Sequence, residues 1–249
     1  WIDTADAYWT LDNSYVESVW WLIRQLWDKG LLYEGHKVSP YCGRCGTALS
    51  SHELGQPDVY RDVVDPSVYV RFPIADRDVD LLVWTTTPWT LISNVAAAVG
   101  PDIDYVRVVS TDGTRDLVMA AALAPDNAIV VEAFKGSDLV GWRYERPFDT
   151  LTPPAGSDGW RVVAAEFVTT DDGSGIVHLA PAFGEDDAAV GRAENLPVLN
   201  PVNADAAFDE SVAAFTGTFV KDADRDIIAD LSARGLLVRE QAYEHSYPH

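Results

Sequence analysis

The chain has 249 residues, 47% of them hydrophobic and 11% aromatic, which is enough apolar material for a packed core and too much for a disordered polymer. Its 39 acidic residues against 18 basic ones give a formal net charge of -21; that works against non-specific nucleic-acid binding, which rests mainly on phosphate neutralisation. No apolar run approaches the roughly 18 residues of a membrane span and no secretory signal opens the chain, so a soluble, cytoplasmic, monomeric protein without membrane partners is expected.

The chain begins at Trp1 and ends at Pro248-His249, and it is expected to be a piece of a longer protein. From Ser14 to Asp28 the apolar residues Tyr15, Val16, Val19, Trp20, Ile23, Leu26 and Trp27 recur at helical spacing. Asp12, Asn13 and Ser14 are candidate caps and Gly30 a stop, and the aromatic stripe reads as a packing face. Cys42-Gly43-Arg44-Cys45-Gly46 then forms a two-residue cysteine spacing in a turn, which suits a zinc knuckle better than a redox pair. Structural zinc takes four ligands, and Cys42 and Cys45 are the only cysteines. Either a second pair lies elsewhere, or His36, His52, His245 or His249 substitutes, or the thiols are free.

Beyond about Val59 the pattern turns to short β-rich runs: 67–72, 80–84, 105–109, 128–132, 162–168 and 175–180. Asp112-Gly113, Pro153-Pro154 and Asp171-Asp172-Gly173 separate them. Helices are predicted over 187–195 and 222–234, the latter stopped by Gly235, with a third short one over 119–123. The expected fold is a β-rich α+β domain, a coiled mixed sheet closing into a β-barrel-like core with peripheral helices.

Two segments carry the chemistry. In Trp84-Thr85-Thr86-Thr87-Pro88-Trp89-Thr90, hydroxyls cluster where an apolar strand is stopped by Pro88. In Gly173 to Asp187, a strand bearing His178 runs into Pro181, Gly184 and the acidic cluster Glu185-Asp186-Asp187 that opens a helix. No Gly-x-Ser-x-Gly elbow, phosphate-binding Gly-x-x-x-x-Gly-Lys or His-Glu-x-x-His is present, which removes the standard serine-hydrolase, nucleotide-hydrolase and metalloprotease readings. Hydroxyls, one histidine and one or two carboxylates suit hydrolysis of an already reactive ester, where orienting substrate and water supplies much of the rate. Taken singly, each residue has an ordinary explanation: strand threonines, a core histidine, a helix-opening aspartate. The pairing shifts the weight.

Thr85-Thr86-Thr87-Pro88-Trp89-Thr90 together with His178-Leu179-Ala180-Pro181-Ala182-Phe183-Gly184-Glu185-Asp186-Asp187 resembles the editing domain (CP1) of isoleucyl-tRNA synthetase, an insertion in a class I catalytic domain. The resemblance covers nearly the whole chain, including the approach from Asn13 to Leu54. The valyl and leucyl enzymes carry arginine where Thr87 stands and an acidic residue where Trp89 stands, which favours the isoleucyl branch over an editing domain of valyl or leucyl type. The resemblance implies division into a connective region, 1–58, with the helix and knuckle; an editing domain, 59–240; and a return segment, 241–249.

It also implies an aminoacyl-tRNA deacylase that removes valine from isoleucine tRNA, with the valyl-adenylate as a second candidate substrate. A pocket sized for isoleucine rejects valine by only about 1–3 kcal/mol, a borrowed figure for which this amino-acid pair is the standard illustration. A second, smaller pocket must complete the rejection. Carried over by the resemblance, Asp187 holds the α-ammonium, Thr86 and Thr87 with Thr85 contact the ester and terminal ribose and position the water, and His178 borders the amino-acid pocket. Trp89 and Asn94 are candidates for the terminal nucleotide, and Ala180 and Phe183 for the pocket wall. The partners implied are the 3′ end of isoleucine tRNA carrying valine and the catalytic body of the parent enzyme. No cofactor is required for editing. Zinc at Cys42 and Cys45 belongs to the full-length protein, with the second Cys-x-x-Cys expected beyond His249. The class I synthetic signatures are absent, so neither ATP use nor tRNA charging is expected of this piece. The competing readings are a non-catalytic tRNA-binding or interaction module and a zinc-stabilised structural domain.

Overall fold

The computed structural model describes residue 3 and residues 7–110 and 113–248; Asp112 of the predicted Asp112-Gly113 turn and the candidate ligand His249 lie outside the described residues. The chain divides into two compact units, Trp1–Lys37 and Val38–His249.

In the first unit, α1 spans Asn13–Asp28. Gly30 ends it with φ at +67°, its N–H bonded to Trp27 O and that of Leu31 to Leu26 O, the paired closure that a left-handed glycine permits. Asp12 stands at the N-cap without a side-chain cap bond. The amphipathic stripe differs from its expected packing role: no residue of α1 is buried, and Trp20, Trp21 and Trp27 are each more than 60% exposed.

In the second unit, β1 (Tyr41–Cys42) and β2 (Thr47–Ala48) form a hairpin, followed by α2 (Ser51–Leu54), whose first turn is closed by reciprocal bonds between Ser50 and Glu53. The larger sheet comprises β3 (Tyr60–Pro73), β4 (Val79–Thr85), β5 (Ala96–Val99), β6 (Asp104–Val108), β7 (Asp116–Ala120), β8 (Val130–Lys135), β9 (Arg161–Ala164), β10 (Ile176–Leu179) and β11 (Leu237–Pro248). Its order is β8-β6-β7-β4-β10-β5-β9, with β3 pairing both β4 and β11. The sheet is mixed: β4 runs parallel to β7 and β10, and β5 parallel to β9, while the other pairs are antiparallel. Isolated bridges Arg143↔Arg161 and Ile74↔Tyr144 then link β9 back to the end of β3, so the coiled sheet closes on itself as expected of a barrel-like core.

Alternation along the strands sorts the side chains. Val68, Val70 and Phe72 of β3 and Leu81 and Val83 of β4 face the main core with Ala97, Ile176 and Leu179. Tyr69, Leu82, Val106, Val108, Leu117 and Met119 form a second, smaller cluster. Around the sheet lie the helices α3 (Gly136–Leu139), α4 (Glu185–Ala193) and α5 (Asp224–Ala233) and the 3-10 turns at Pro88–Ser93, Ala121–Leu123 and Val220–Ala223; the first of these turns is itself largely buried, with Leu91 and Ile92 in the main core.

Several elements differ from expectation. The helix predicted over 119–123 is the end of β7 followed by a single 3-10 turn, because Leu117 to Ala120 are buried on the sheet before the chain leaves it. The strand predicted over 162–168 stops at Ala164, where the Val168 N–H to Ala165 O bond closes a turn. β5 was not anticipated, since alanine is depleted in strands, yet all four of its residues are fully buried. β11, which no expected run covered, pairs with β3 from Leu237↔Val70 to Pro248↔Tyr60 with a register shift between Leu237 and Arg239. α4 begins two residues before the predicted Asp187, and α5 two residues after the predicted 222.

Candidate active site

The two motif segments meet because β4 and β10 are neighbours running in the same direction, with Val177 in register with Trp84. Thr85, in alternation with Leu81 and Val83, points to the barrel side, and His178 follows Ile176 in the same sense. Past Thr85 the strand cannot continue through Pro88, and the chain turns into the 3-10 segment.

A chain of polar contacts crosses from one segment to the other. Thr85 Oγ1 accepts the Thr87 N–H at 3.1 Å and lies 3.2 Å from Thr87 Oγ1. Thr87 Oγ1 lies 3.0 Å from Thr90 Oγ1, whose hydroxyl donates to Thr87 O at 2.7 Å. Thr90 Oγ1 in turn lies 2.8 Å from His178 Nε2. With the Thr90 proton committed to Thr87 O, the network is satisfied when the imidazole donates from Nε2, a tautomer assigned from these bonds. Nδ1 then carries only a lone pair, and it has no hydrogen-bond partner among the described residues. Burial, with no carboxylate to offset it, pulls the His178 pKa down to about 4. The ring is therefore neutral at physiological pH, a shaped and hydrogen-bonded wall rather than a cation.

Asp187 stands in the first turn of α4 and its Oδ2 accepts the Ala180 N–H at 2.8 Å. This bond folds the helix start back onto the strand end two residues past His178. Burial raises the Asp187 carboxyl above its ordinary value; the Ala180 N–H opposes that shift and the neighbouring Asp186 charge adds to it. Gly184 leaves room for the Asp187 carboxylate: a Cβ at that position would lie 2.6 Å from Asp187 Cγ and displace it. Glu185 and Asp186 are exposed.

The rings of Trp89 and Phe183 pack edge to face at 4.7 Å, a second tie between the segments. Thr86 is half-buried, and Ala180 is buried with its N–H spent on Asp187. Asn94 stands apart from this cluster. It is buried, its Nδ2 donates to Ala96 O at 3.0 Å and its Oδ1 accepts from the Tyr144 hydroxyl at 2.7 Å, so its carboxamide is occupied inside the protein.

Two residues were missed by the sequence reading. Thr90 was quoted in its motif without a role, yet it joins the threonines to His178. Asp224 of α5 accepts the Trp89 N–H at 2.8 Å across 135 residues, a contact no local pattern announces. Clefts lie away from the motif threonines, His178 and Asp187, one of about 400 Å³ lined by Tyr69, Leu82, Leu117 and Met119 and another of about 520 Å³ bordered by Asp65, Lys221 and Asp224.

At the hairpin, the Cys45 N–H points to Cys42 Sγ at 3.3 Å, and this contact lowers the Cys42 thiol below its ordinary value. Both thiols are free. His52 contacts Gln56 and His245 contacts Asp65. No group of three His, Cys, Asp or Glu side chains suited to a metal occurs among the described residues; Cys42 and Cys45 supply two of the four ligands a structural zinc takes and do not by themselves fit the ion.

The family model for tRNA synthetases class I (I, L, M and V) matches residues 1–197. The chain belongs to the class I tRNA synthetases. It is 51% identical to the isoleucine-tRNA ligase of Thermobifida fusca and 49% identical to that of Streptomyces coelicolor, in each case over 100% of this chain and 24% of the relative. This synthetase chain thus spans about a quarter of the length of the curated relatives it matches. Among solved structures it is similar in fold to one described as GlLeuRS-CP1, with a TM-score of 0.55 at 14% identity, over 70% of this chain and 99% of that one. No helix among the described residues of the synthetase chain is long and apolar enough to cross a membrane.

Proposed function

We propose that this chain is the editing module of an isoleucine-tRNA ligase and hydrolyses valine esterified to isoleucine tRNA. The observation that carries the reading is the Thr90–His178 bond, which joins two motifs 88 residues apart into one site. Thr87 and Trp89 favour the isoleucyl type of site over the valyl and leucyl ones. In the proposed reaction, water adds to the ester carbonyl, the bond from that carbon to the ribose oxygen breaks, and the oxygen leaves as a hydroxyl with a proton from the water. Asp187 holds the α-ammonium of the substrate; that cation stabilises the ionised carboxylate which burial disfavours. Thr86 and Thr87 orient ester, ribose and water, and neutral His178 limits the room for the side chain. The valyl-adenylate is a second proposed substrate, and the tRNA 3′ end and the rest of the synthetase are the proposed partners. Cys42 and Cys45 are proposed as half of a zinc knuckle with no part in the hydrolysis.

The test is the rate at which this chain deacylates valyl- and isoleucyl-tRNA specific for isoleucine, with and without Asp187→Ala. We expect the valyl ester to be cleaved faster and the substitution to cost about 1.5–3 kcal/mol of binding to the ammonium, a roughly ten- to hundredfold drop in kcat/KM. Equal background hydrolysis of both esters, unchanged by the substitution, refutes the proposal and leaves a non-catalytic module. The threonines, already satisfied by one another and by His178, are compatible with that outcome.

A further inference from the structure

Asp224 is 6% exposed and reaches across from α5 to the peptide immediately after Pro88. That N–H is the first donor available after the proline, at the start of a 3-10 turn whose opening amides have no partner within the turn. The bond therefore fixes the point at which the threonine strand changes direction, and Trp89, anchored there, is the residue that packs on Phe183 of the other segment. We propose that Asp224 is a positioning residue for the hydrolysis proposed above, its ionised carboxylate holding the Trp89 amide and with it the turn that presents Thr86 and Thr87. The role rests on that reading of the site.

The surroundings make the anchor sensitive to protons. Facing Asp224 are Asp65 of β3 and Lys221 of the preceding 3-10 turn; Lys221 Nζ lies 2.6 Å from Asp65 Oδ2, and His245 of β11 contacts that same oxygen at 2.9 Å. Arg225 and Glu240 border the same cleft. Burial raises the Asp224 carboxyl to about 7; the Trp89 N–H and Lys221 oppose this, and the Asp65 charge adds to it. As pH falls through that value the carboxyl takes up a proton, the charge-assisted bond to Trp89 weakens and the turn loosens. His178, pulled down to about 4, does not titrate in this range.

The experiment follows the Trp89 backbone amide resonance of the 249-residue chain through neutral pH, alongside hydrolysis of valyl-tRNA for isoleucine, corrected for the uncatalysed rate at each pH. The expected result is one inflexion near 7 in both readouts, with the Trp89 amide and kcat changing together and KM little altered. Asp224→Asn should abolish the inflexion in both. Lys221→Met should move it to higher pH and Asp65→Asn to lower pH, opposite shifts that a purely packing role would not produce and that keep the test alive if Asp224→Asn does not fold. An amide insensitive to pH, or hydrolysis whose profile survives Asp224→Asn, overturns the role while leaving the editing reading intact. A wild-type chain without hydrolysis at any pH overturns the editing reading and this role with it, even where the amide titrates.

Discussion

His178 is held neutral only by being buried, and that has a measurable energetic signature. Its pKa is 6.5 in an unfolded chain and about 4 here, and each pH unit of such a difference corresponds to about 1.4 kcal/mol. The sign follows from linkage: a depressed folded-state value contributes stability that is fully present above 6.5 and is lost as pH falls toward 4, where the unfolded chain binds the proton that the folded one refuses. The total is about 3 kcal/mol, a substantial part of a domain's stability. The perturbation is His178→Gln, whose amide retains a donor toward Thr90 Oγ1 and cannot titrate. Urea denaturation of both proteins, at pH values from above neutrality down to about 4, gives the difference in unfolding free energy at each pH. Wild type should lose stability relative to the variant by about 3 kcal/mol across this window. Asp224, whose carboxyl is raised instead, contributes in the opposite sense over nearly the same range, so the wild-type curve alone would conceal the effect and only the difference isolates it. A difference that stays constant with pH refutes the account of His178 as a neutral buried wall.

Other outcomes follow from the same geometry. Gly184→Ala places a methyl 2.6 Å from Asp187 Cγ at an ordinary φ of -111°; the carboxylate must swing away, and deacylation should fall by at least about tenfold while the far-ultraviolet circular dichroism spectrum is retained. Thr90→Val removes the hydroxyl between Thr87 and His178 and strands the buried Nε2 donor, which should cost about 1–3 kcal/mol in chemical denaturation and lower hydrolysis as well. Retention of full stability by Thr90→Val would show that the polar chain across the two segments holds nothing together.

The parts of the fold that were legible in the sequence are those whose local pattern and burial agree. The runs around Val68 to Phe72, Leu81 to Val83 and Tyr105 to Val108 are short apolar, β-rich stretches set off by turn residues, and they became β3, β4 and β6. Where burial overrode composition the pattern was silent: Ala96 to Ala98 have weak strand preference and are strands because both faces of β5 are covered. The outer parts of β3 and β11 carry Arg61, Asp62, Asp65, Glu244 and His245 and show no apolar alternation, since each is stabilised by its partner along the ladder. The same division holds at the candidate site. His178, the threonines and Asp187 stand in two compact motifs, whereas the Asp224–Trp89 bond joins residues 135 apart and has no local trace. Asn94 became a candidate through the resemblance, and its bonds to Ala96 and Tyr144 have no local trace in the sequence.

Among the described residues, β4 and β10 share a single register pair, Trp84 with Val177. Beyond that rung the lateral hold between the two strand ends passes from backbone to side chains, through Thr87, Thr90 and His178. The atoms proposed to meet a substrate are thus also a fastening between two strands. A substitution there is judged twice, once by whether the strands stay together and once by whether the ester is placed correctly. The set of tolerated residues at these positions is therefore the overlap of two separate requirements, narrower than either would impose alone.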